Sequence, residues 1–392
     1  MDEITGGKLI GHGSYGCVFY PSLKCSKGPN DKGDKVSKIF FSETSHKEAS
    51  REIEVNKLIK KIKGYHGWCH VWDIKCKPNK YKNIVKEDKD IKLCLKKNSI
   101  DEYTFDNNSY MLQGSYGGTN ISNVFLKLFT KKTFETKKTF TANFLTLIKL
   151  TKPLFIGLHA MNKNKVSHND IKGDNIMVDS EGCKFIDFGL SAKYSDTTFF
   201  KKRTMREYSS YRIYPPYPYE FIYMYAPEYM LLDEKSDINY GEYRNLHSRY
   251  ELVHKTLFNR KNINQYLFDL MDRSINNKLN KSKIISLLDT YSLGFMFSYA
   301  LCKLCKIYKK LSEFKKYCKY EPVKSYMDLL KQMCEPDCEN RMNPNDALHK
   351  YLELEKKFLK NDSKTKTKPK KIPKTAPKKR SKRTKKRSVR KA

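Results

Sequence analysis

The amino-acid sequence predicts an α+β fold, with strand candidates gathered in roughly its first 118 residues and long helices dominating after them. Three observations carry this. Two short runs rich in β-branched and aromatic residues, Cys17-Val18-Phe19-Tyr20 and Lys35 to Phe41, bracket a polar loop of Lys, Gly, Pro and Asn. Two later stretches, Thr141 to Asn162 and Ser286 to Cys302, place apolar residues at helical spacing. At 392 residues, 39% hydrophobic and 13% aromatic, the chain has core material for two lobes.

Taken in order, the first strand candidate opens on Ile10-Gly11-His12-Gly13-Ser14-Tyr15-Gly16-Cys17-Val18, a G-x-G-x-x-G-x-V pattern. A dinucleotide-binding turn would need a helix opening inside the glycines. Here strand residues follow and Pro21 breaks them, so a strand-loop-strand flap is expected, with an ordinary hairpin turn as the plain alternative. Glycines in such a flap let backbone N–H groups approach phosphates without a Cβ in the way.

His46 to Lys63 reads as a helix with Ile53, Val55, Leu58, Ile59 and Ile62 on one face. Gly64 to Ser109 is polar and yields no assignment beyond Trp68, Trp72 and Tyr81 as core anchors. Tyr110-Met111-Leu112 then runs into a glycine-rich connection, Gln113 to Gly118. Pro153, inside the helix expected at 141–162, predicts a kink or a break there. Ile176-Met177-Val178 and Cys183 to Ile186 flank the turn Asp179-Ser180-Glu181-Gly182 and read as a hairpin.

Between that helix and that hairpin lies His168-Asn169-Asp170-Ile171-Lys172-Gly173-Asp174-Asn175, and Asp187-Phe188-Gly189 follows the hairpin. Phosphoryl transfer needs a carboxylate to orient the attacking hydroxyl, a cation near the moving phosphate, and oxygen ligands for Mg²⁺. Asp170 would supply the first and Lys172 the second, with Asn175 and Asp187 as metal ligands. The pattern resembles the catalytic loop and metal-binding triplet of eukaryotic-type protein kinases, H-R-D-x-K-x-x-N and D-F-G, with one departure at Asn169.

That resemblance implies a bilobal protein-kinase fold, with a small β-rich N-lobe and hinge at 1–118 and a large, mostly helical C-lobe at 119–360. It assigns Ile10, Gly11, Gly13, Ser14, Gly16 and Val18 to ATP. Lys38, with Lys35 as the alternative, would hold the α- and β-phosphates, and Glu52, with Glu48 and Glu54 as alternatives, would pair with that lysine. His168 would be structural. Glu228 of Ala226-Pro227-Glu228 would pair with Arg341, and Asp289-Thr290-Tyr291-Ser292-Leu293-Gly294 would be the buried aspartate helix. The excess between them, an insertion at about 232–284, is expected on the C-lobe surface. Lys172, two residues after the base, matches the serine/threonine-kinase arrangement, so Mg-ATP-dependent transfer to Ser or Thr of protein substrates is implied, with a pseudokinase scaffold or a nucleic-acid-tethered regulatory protein as the alternative. The stretch Gly7 to Val18, the Gln113–Gly118 connection and the Lys-, Asn-, Ile- and Tyr-heavy composition are similar to kinases of large DNA viruses of eukaryotes.

Charge and cysteine usage complete the expectations. The formal net charge is +35; residues 363–392 hold sixteen Lys or Arg and no acid, which leaves about +19 on the remainder. From Asn361 the composition predicts a disordered tail that binds nucleic acid or another polyanion, serves as a nuclear-import address, or merely solubilises. Met1-Asp2-Glu3-Ile4 has neither a basic region nor an apolar run, so the expected location is the cytoplasmic or nuclear side of a host cell, or the virion, without secretion or membrane insertion. Eleven scattered cysteines are then expected as reduced thiols. A zinc site from Cys302, Cys305, Cys334 and Cys338 is the minor alternative.

Overall fold

The structure is a computed structural model that describes residues 7–13, 16–27, 34–41, 44–87, 90–209, 216–225, 248–260, 263–276 and 278–359. The smaller lobe is built on strands β1 (Lys8–Gly13), β2 (Gly16–Tyr20), β3 (Lys35–Phe40), β4 (Trp72–Cys76) and β5 (Tyr110–Ser115). They form one antiparallel sheet in the order β1-β2-β3-β5-β4. Strand alternation divides its two faces. Phe40 and Leu112 meet Ala49 of helix α1 (Ser45–Lys60), whereas Phe19, Ile39 and Met111 face the other way.

That second face is covered by the stretch the sequence left unassigned. Besides β4, Gly64 to Ser109 forms the short helices α2 (Tyr81–Glu87), α3 (Asp90–Asn98) and α4 (Glu102–Asn108), which bury Ile84, Ile91, Leu95 and Phe105 against the sheet. Two disulfides tie this lobe together, correcting the expectation of reduced thiols for four of the eleven cysteines, while the other seven are free. Cys17 of β2 joins Cys94 of α3, with Cα atoms 6.3 Å apart, and Cys25 joins Cys76 of β4 at 5.9 Å. The partners are 77 and 51 residues apart in sequence, so the pairing emerges only once α3 and β4 are placed.

Among the described residues two backbone links join the lobes. β5 passes through Gly117 and Gly118 into β6 (Thr119–Asn120), which pairs with β8 (Ile176–Val178). Gly118 has φ +88°, and a Cβ there would lie 2.3 Å from the Val178 carbonyl oxygen, so only glycine fits. The second link hooks residues 68–70 onto β9 (Cys183–Phe185): Phe185 N–H donates to Trp68 O at 3.0 Å and His70 N–H to Phe185 O at 2.9 Å.

The larger lobe is helical. After α5 (Ile121–Leu128), α6 runs unbroken over Lys137–Lys163, so Pro153 does not divide it. Phe144, Leu147, Leu154, Phe155 and Leu158 are all buried, and their packing holds the helix across the proline. The chain then forms β7 (Val166–Ser167), β8, β9, β10 (Ala192–Lys193), α7 (Thr197–Ser209) and α8 (Tyr219–Tyr223). Further helices are α9 (Ile263–Ile275), α10 (Lys281–Ile307), α11 (Leu311–Tyr317), α12 (Val323–Met333) and α13 (Pro344–Phe358). Among the described residues α6 and α10 are long and apolar enough to cross a membrane by length and composition alone. Both instead form the interior of this lobe, α10 burying Leu288, Tyr291, Leu293, Phe297 and Leu301.

The expected surface insertion is partly internal. Tyr250, Val253 and His254 are buried around a π-helical turn at Leu252–Leu257 that packs on α10. With Leu257 they recur at helical spacing, a stripe that the polar average of the segment conceals.

Candidate active site

β3 carries Lys38 opposite Val18 of β2 on one side and Leu112 of β5 on the other. Lys38 Nζ lies 3.0 Å from Glu52 Oε2 on α1 and 3.1 Å from Asp187 Oδ1. One ammonium thus bridges two carboxylates across the lobes. The alternatives sit elsewhere: Lys35 begins β3 opposite Ser115, Glu48 accepts a bond from Thr44 Oγ1, and Glu54 is exposed.

Burial works against the charge on Lys38, yet Glu52 and Asp187 together hold its pKa above the ordinary lysine value. Glu52 is pushed up to about 7 by burial, against the pull of Lys38. Its Oε1 also accepts the Trp72 indole N–H at 2.6 Å, a partner that the sequence did not reveal. For Asp187, burial raises the pKa, but Lys38 more than cancels this and keeps the carboxyl below its usual range.

The loop from His168 to Asn175 closes on itself around Asp170. Lys172 Nζ is 2.9 Å from Asp170 Oδ2, and the Asn175 amide donates to Asp170 Oδ2 at 2.7 Å and to its carbonyl at 2.9 Å. That leaves Oδ1 of Asn175 as its oxygen toward a cation. With the Asp187 carboxylate it makes a hard-oxygen donor set, which fits Mg²⁺. His168 is buried with both ring nitrogens engaged, Nδ1 accepting the Asp170 N–H at 3.3 Å and Nε2 facing Ile186 O at 3.1 Å. Held at both nitrogens, the ring braces the loop.

At the flap, β1 and β2 place Ile10, Gly11, Gly13, Gly16 and Val18 along one hairpin, while Ser14 lies outside the described residues. Gly16 is demanded by packing, because with φ +150° its Cβ would sit 1.7 Å from Ile39 O. At Gly11 the nearest protein atom to a Cβ would be Val18 Cβ at 3.4 Å. Packing alone leaves room there.

Residues 4–214 match the model of the family described as protein kinase domain, which is more than half of the chain. The chain belongs to the protein kinase family. It is also similar over short stretches to mitogen-activated protein kinase kinase kinase 3 of Arabidopsis thaliana, 48% identical over 12% of this chain and 7% of that protein. Cyclin-dependent kinase C-1 of the same plant is 51% identical over 11% of this chain and 9% of its own length. The CTD kinase subunit alpha of Saccharomyces cerevisiae is 37% identical over 14% and 11%. The chain therefore spans about a tenth of the length of the curated relatives it matches.

Other parts of this kinase fold support the catalytic loop from below. Asp289 of α10 accepts bonds from His168 N–H at 2.6 Å, Asn169 N–H at 3.0 Å and Ser167 Oγ at 3.0 Å. Asn169, where the family carries arginine, has φ 62°; its Oδ1 accepts from Ser167 Oγ at 2.7 Å and its amide donates to Leu190 O at 3.1 Å. The Tyr217 hydroxyl donates to the Asn169 carbonyl oxygen, and Arg203 Nε donates to that hydroxyl at 3.2 Å.

Arg341 pairs with Glu220 at 2.5 Å, both fully buried, a partner the sequence reading did not name. Glu228 lies outside the described residues. The contact is close rather than well aligned as a hydrogen bond, and Glu220 Oε2 also accepts the Cys338 N–H at 2.9 Å. Pro218-Tyr219-Glu220 thus supplies a buried carboxylate to Arg341. The four cysteines of the zinc alternative form no four-sulfur cluster; the described candidate metal group is Glu220, Asp337 and Cys338, already engaged by Arg341. Burial pushes up the thiols of Cys302, Cys305, Cys334 and Cys338.

Proposed function

We propose that the chain is a serine/threonine protein kinase that transfers the γ-phosphate of ATP to hydroxyls of protein substrates. The observation that carries this is Lys38 bridged to Glu52 at 3.0 Å and to Asp187 at 3.1 Å, beside Asp170 held by Lys172 and Asn175. The bridging positions a charged ammonium for phosphate oxygens and orders Asp187 at the same time. Asp170 orients the attacking hydroxyl and accepts its proton, and Lys172 offsets the charge growing beside it. Asn175 Oδ1 and the Asp187 carboxylate would hold Mg²⁺, which when bound neutralises phosphate charge. The open side of Gly11 suits close approach of phosphates to the flap backbone. The absence of any gap in this residue set favours an active kinase over a pseudokinase scaffold.

Lys38→Met tests the reading. It is expected to abolish transfer to a Ser/Thr peptide and to weaken the ATP-induced rise in melting temperature, with circular dichroism showing that the apo variant, although destabilised by the loss of the cation between Glu52 and Asp187, stays folded. Transfer that survives in this variant would refute the assignment.

The proposal extends to residues 363–392, whose sixteen basic residues and no acid suit a nucleic acid or other polyanion. Removing them should flatten the salt dependence of polyanion binding and spare peptide phosphorylation; an unchanged slope would refute that role. By the resemblance of Gly7–Val18 and the Gln113–Gly118 connection to kinases of large DNA viruses of eukaryotes, we place its action on the cytoplasmic or nuclear side of a host cell or in the virion, where the Cys17–Cys94 and Cys25–Cys76 bonds would call for an oxidising setting.

A further inference from the structure

Between α1 and α7 lies a cleft of about 650 Å³, outside the transfer centre. Its rim carries Arg51, Lys57 and Lys61 from α1, with Lys193 and Lys202 from β10 and α7. All five are exposed, and among the described residues none makes an ion pair. Their neighbour Lys60 does pair, with Asp73 at 2.7 Å, so pairing is satisfied just beside the cleft and not within it. Only two carboxylates, Glu54 and Asp196, line the same space. The floor is apolar, made by Val55, Leu58 and Phe199, with the Arg51 guanidinium 4.6 Å from the Phe199 ring centre.

We propose that this cleft docks an acidic peptide segment of a partner protein, with one apolar side chain of that segment seated on the Val55–Leu58–Phe199 floor. Charge selects the occupant: five cations against two carboxylates reject a basic segment, including the chain's own residues 363–392. Size agrees, because a space of this volume takes a few side chains rather than a whole domain face. Docking here also has a consequence for the transfer centre. Arg51 and Val55 flank Glu52 on α1, so a segment bridging α1 to α7 holds that helix where Glu52 meets Lys38. Most of the electrostatic attraction is solvent-exposed, so it weakens as salt rises.

The probe is a short Asp/Glu-rich peptide carrying one Leu and one photoreactive benzoylphenylalanine, offered to the full chain beside a matched Asn/Gln peptide. Crosslinks mapped by mass spectrometry are expected within residues 51–61 and 193–202. The affinity of the acidic peptide should fall about tenfold in Lys57→Glu/Lys61→Glu, a loss of two attractive contacts. It should hold in Lys303→Glu/Lys306→Glu, which alters a second basic depression on α10. Melting curves confirm that both variants fold. Crosslinks concentrated on residues 363–392, equal losses in the two variants, or equal binding of the neutral peptide would each overturn the proposal. None of these readouts requires phosphoryl transfer, so their outcome is separable from that of the kinase assignment.

Discussion

Asn169 offers the sharpest perturbation of the catalytic loop. The family's arginine here is held near other basic groups until a phosphate on the activation segment neutralises them. In this chain the position is neutral and buried and is satisfied by Ser167, Leu190 and Tyr217. Asn169→Ala removes two side-chain hydrogen bonds, at about 0.5–1.5 kcal/mol each, and sets alanine at φ 62°, which adds about 1–2 kcal/mol. The sum is about 2–5 kcal/mol of stability, measurable by urea unfolding followed by circular dichroism. Asn169→Gly loses the same bonds without the left-handed penalty, so about 1 kcal/mol of the loss should return. A change in both variants below about 0.5 kcal/mol would show that Asn169 does not hold the loop. The same reasoning predicts that phosphatase treatment leaves kcat/KM on a generic peptide nearly unchanged. Thr204 is already buried, its hydroxyl on the Phe200 and Lys201 carbonyls, so Thr197 and Thr198 are the accessible positions to replace by Ala. A drop of more than about tenfold, or roughly 1.4 kcal/mol of transition-state stabilisation, would show that phosphate control survives without the arginine.

Two further outcomes follow from the same framework. His254 is buried with Nδ1 facing Arg260 Nη1 at 2.6 Å and Nε2 facing the Tyr291 hydroxyl at 3.0 Å; burial first, then the charges of Arg260 and Arg341, push its pKa well below the usual value. Folded and neutral, it takes up no proton where the unfolded chain does, so stability is lost as pH falls below about 6.5, by up to roughly 1.4 kcal/mol per pH unit. His254→Asn should remove that part of the slope in urea titrations, and identical slopes would contradict a neutral buried imidazole. Reduction of the two disulfides, whose partners lie 77 and 51 residues apart, should lower the melting temperature of the smaller lobe, each cross-link being worth about 4 kcal/mol in the loop-entropy description. Mass spectrometry after alkylation checks the bonds themselves, and ready alkylation of Cys17, Cys25, Cys76 and Cys94 in unreduced protein would refute them.

What the sequence makes legible here is chemistry packed into short windows. Lys38, Glu52, Asp170, Lys172, Asn175 and Asp187 each sit in a run whose residue types have few other uses, and the structure brings them together across both lobes. Partners supplied by distant elements were not legible. Trp72 on Glu52, Tyr217 on Asn169 and the Cys17–Cys94 bond all depend on helix and strand placement that no local pattern encodes. Glu220 was missed because a literal Ala-Pro-Glu lies eight residues further on, whereas burial beside Arg341 is what selects the partner. The break that Pro153 could have made does not occur, since its local cost is overridden by the packed core around α6.

The central claim is that Asp170, braced by Lys172 and Asn175, is the base of a phosphoryl-transfer centre. Single-turnover transfer from Mg-ATP to a Ser/Thr peptide, comparing the parent chain with Asp170→Asn, tests it most directly. Asparagine keeps the shape and can still bond Asn175 but cannot accept a proton, so the rate should fall by a factor on the order of 100 or more while the ATP-induced melting shift persists. An unchanged rate in a preparation free of other kinases would contradict the account.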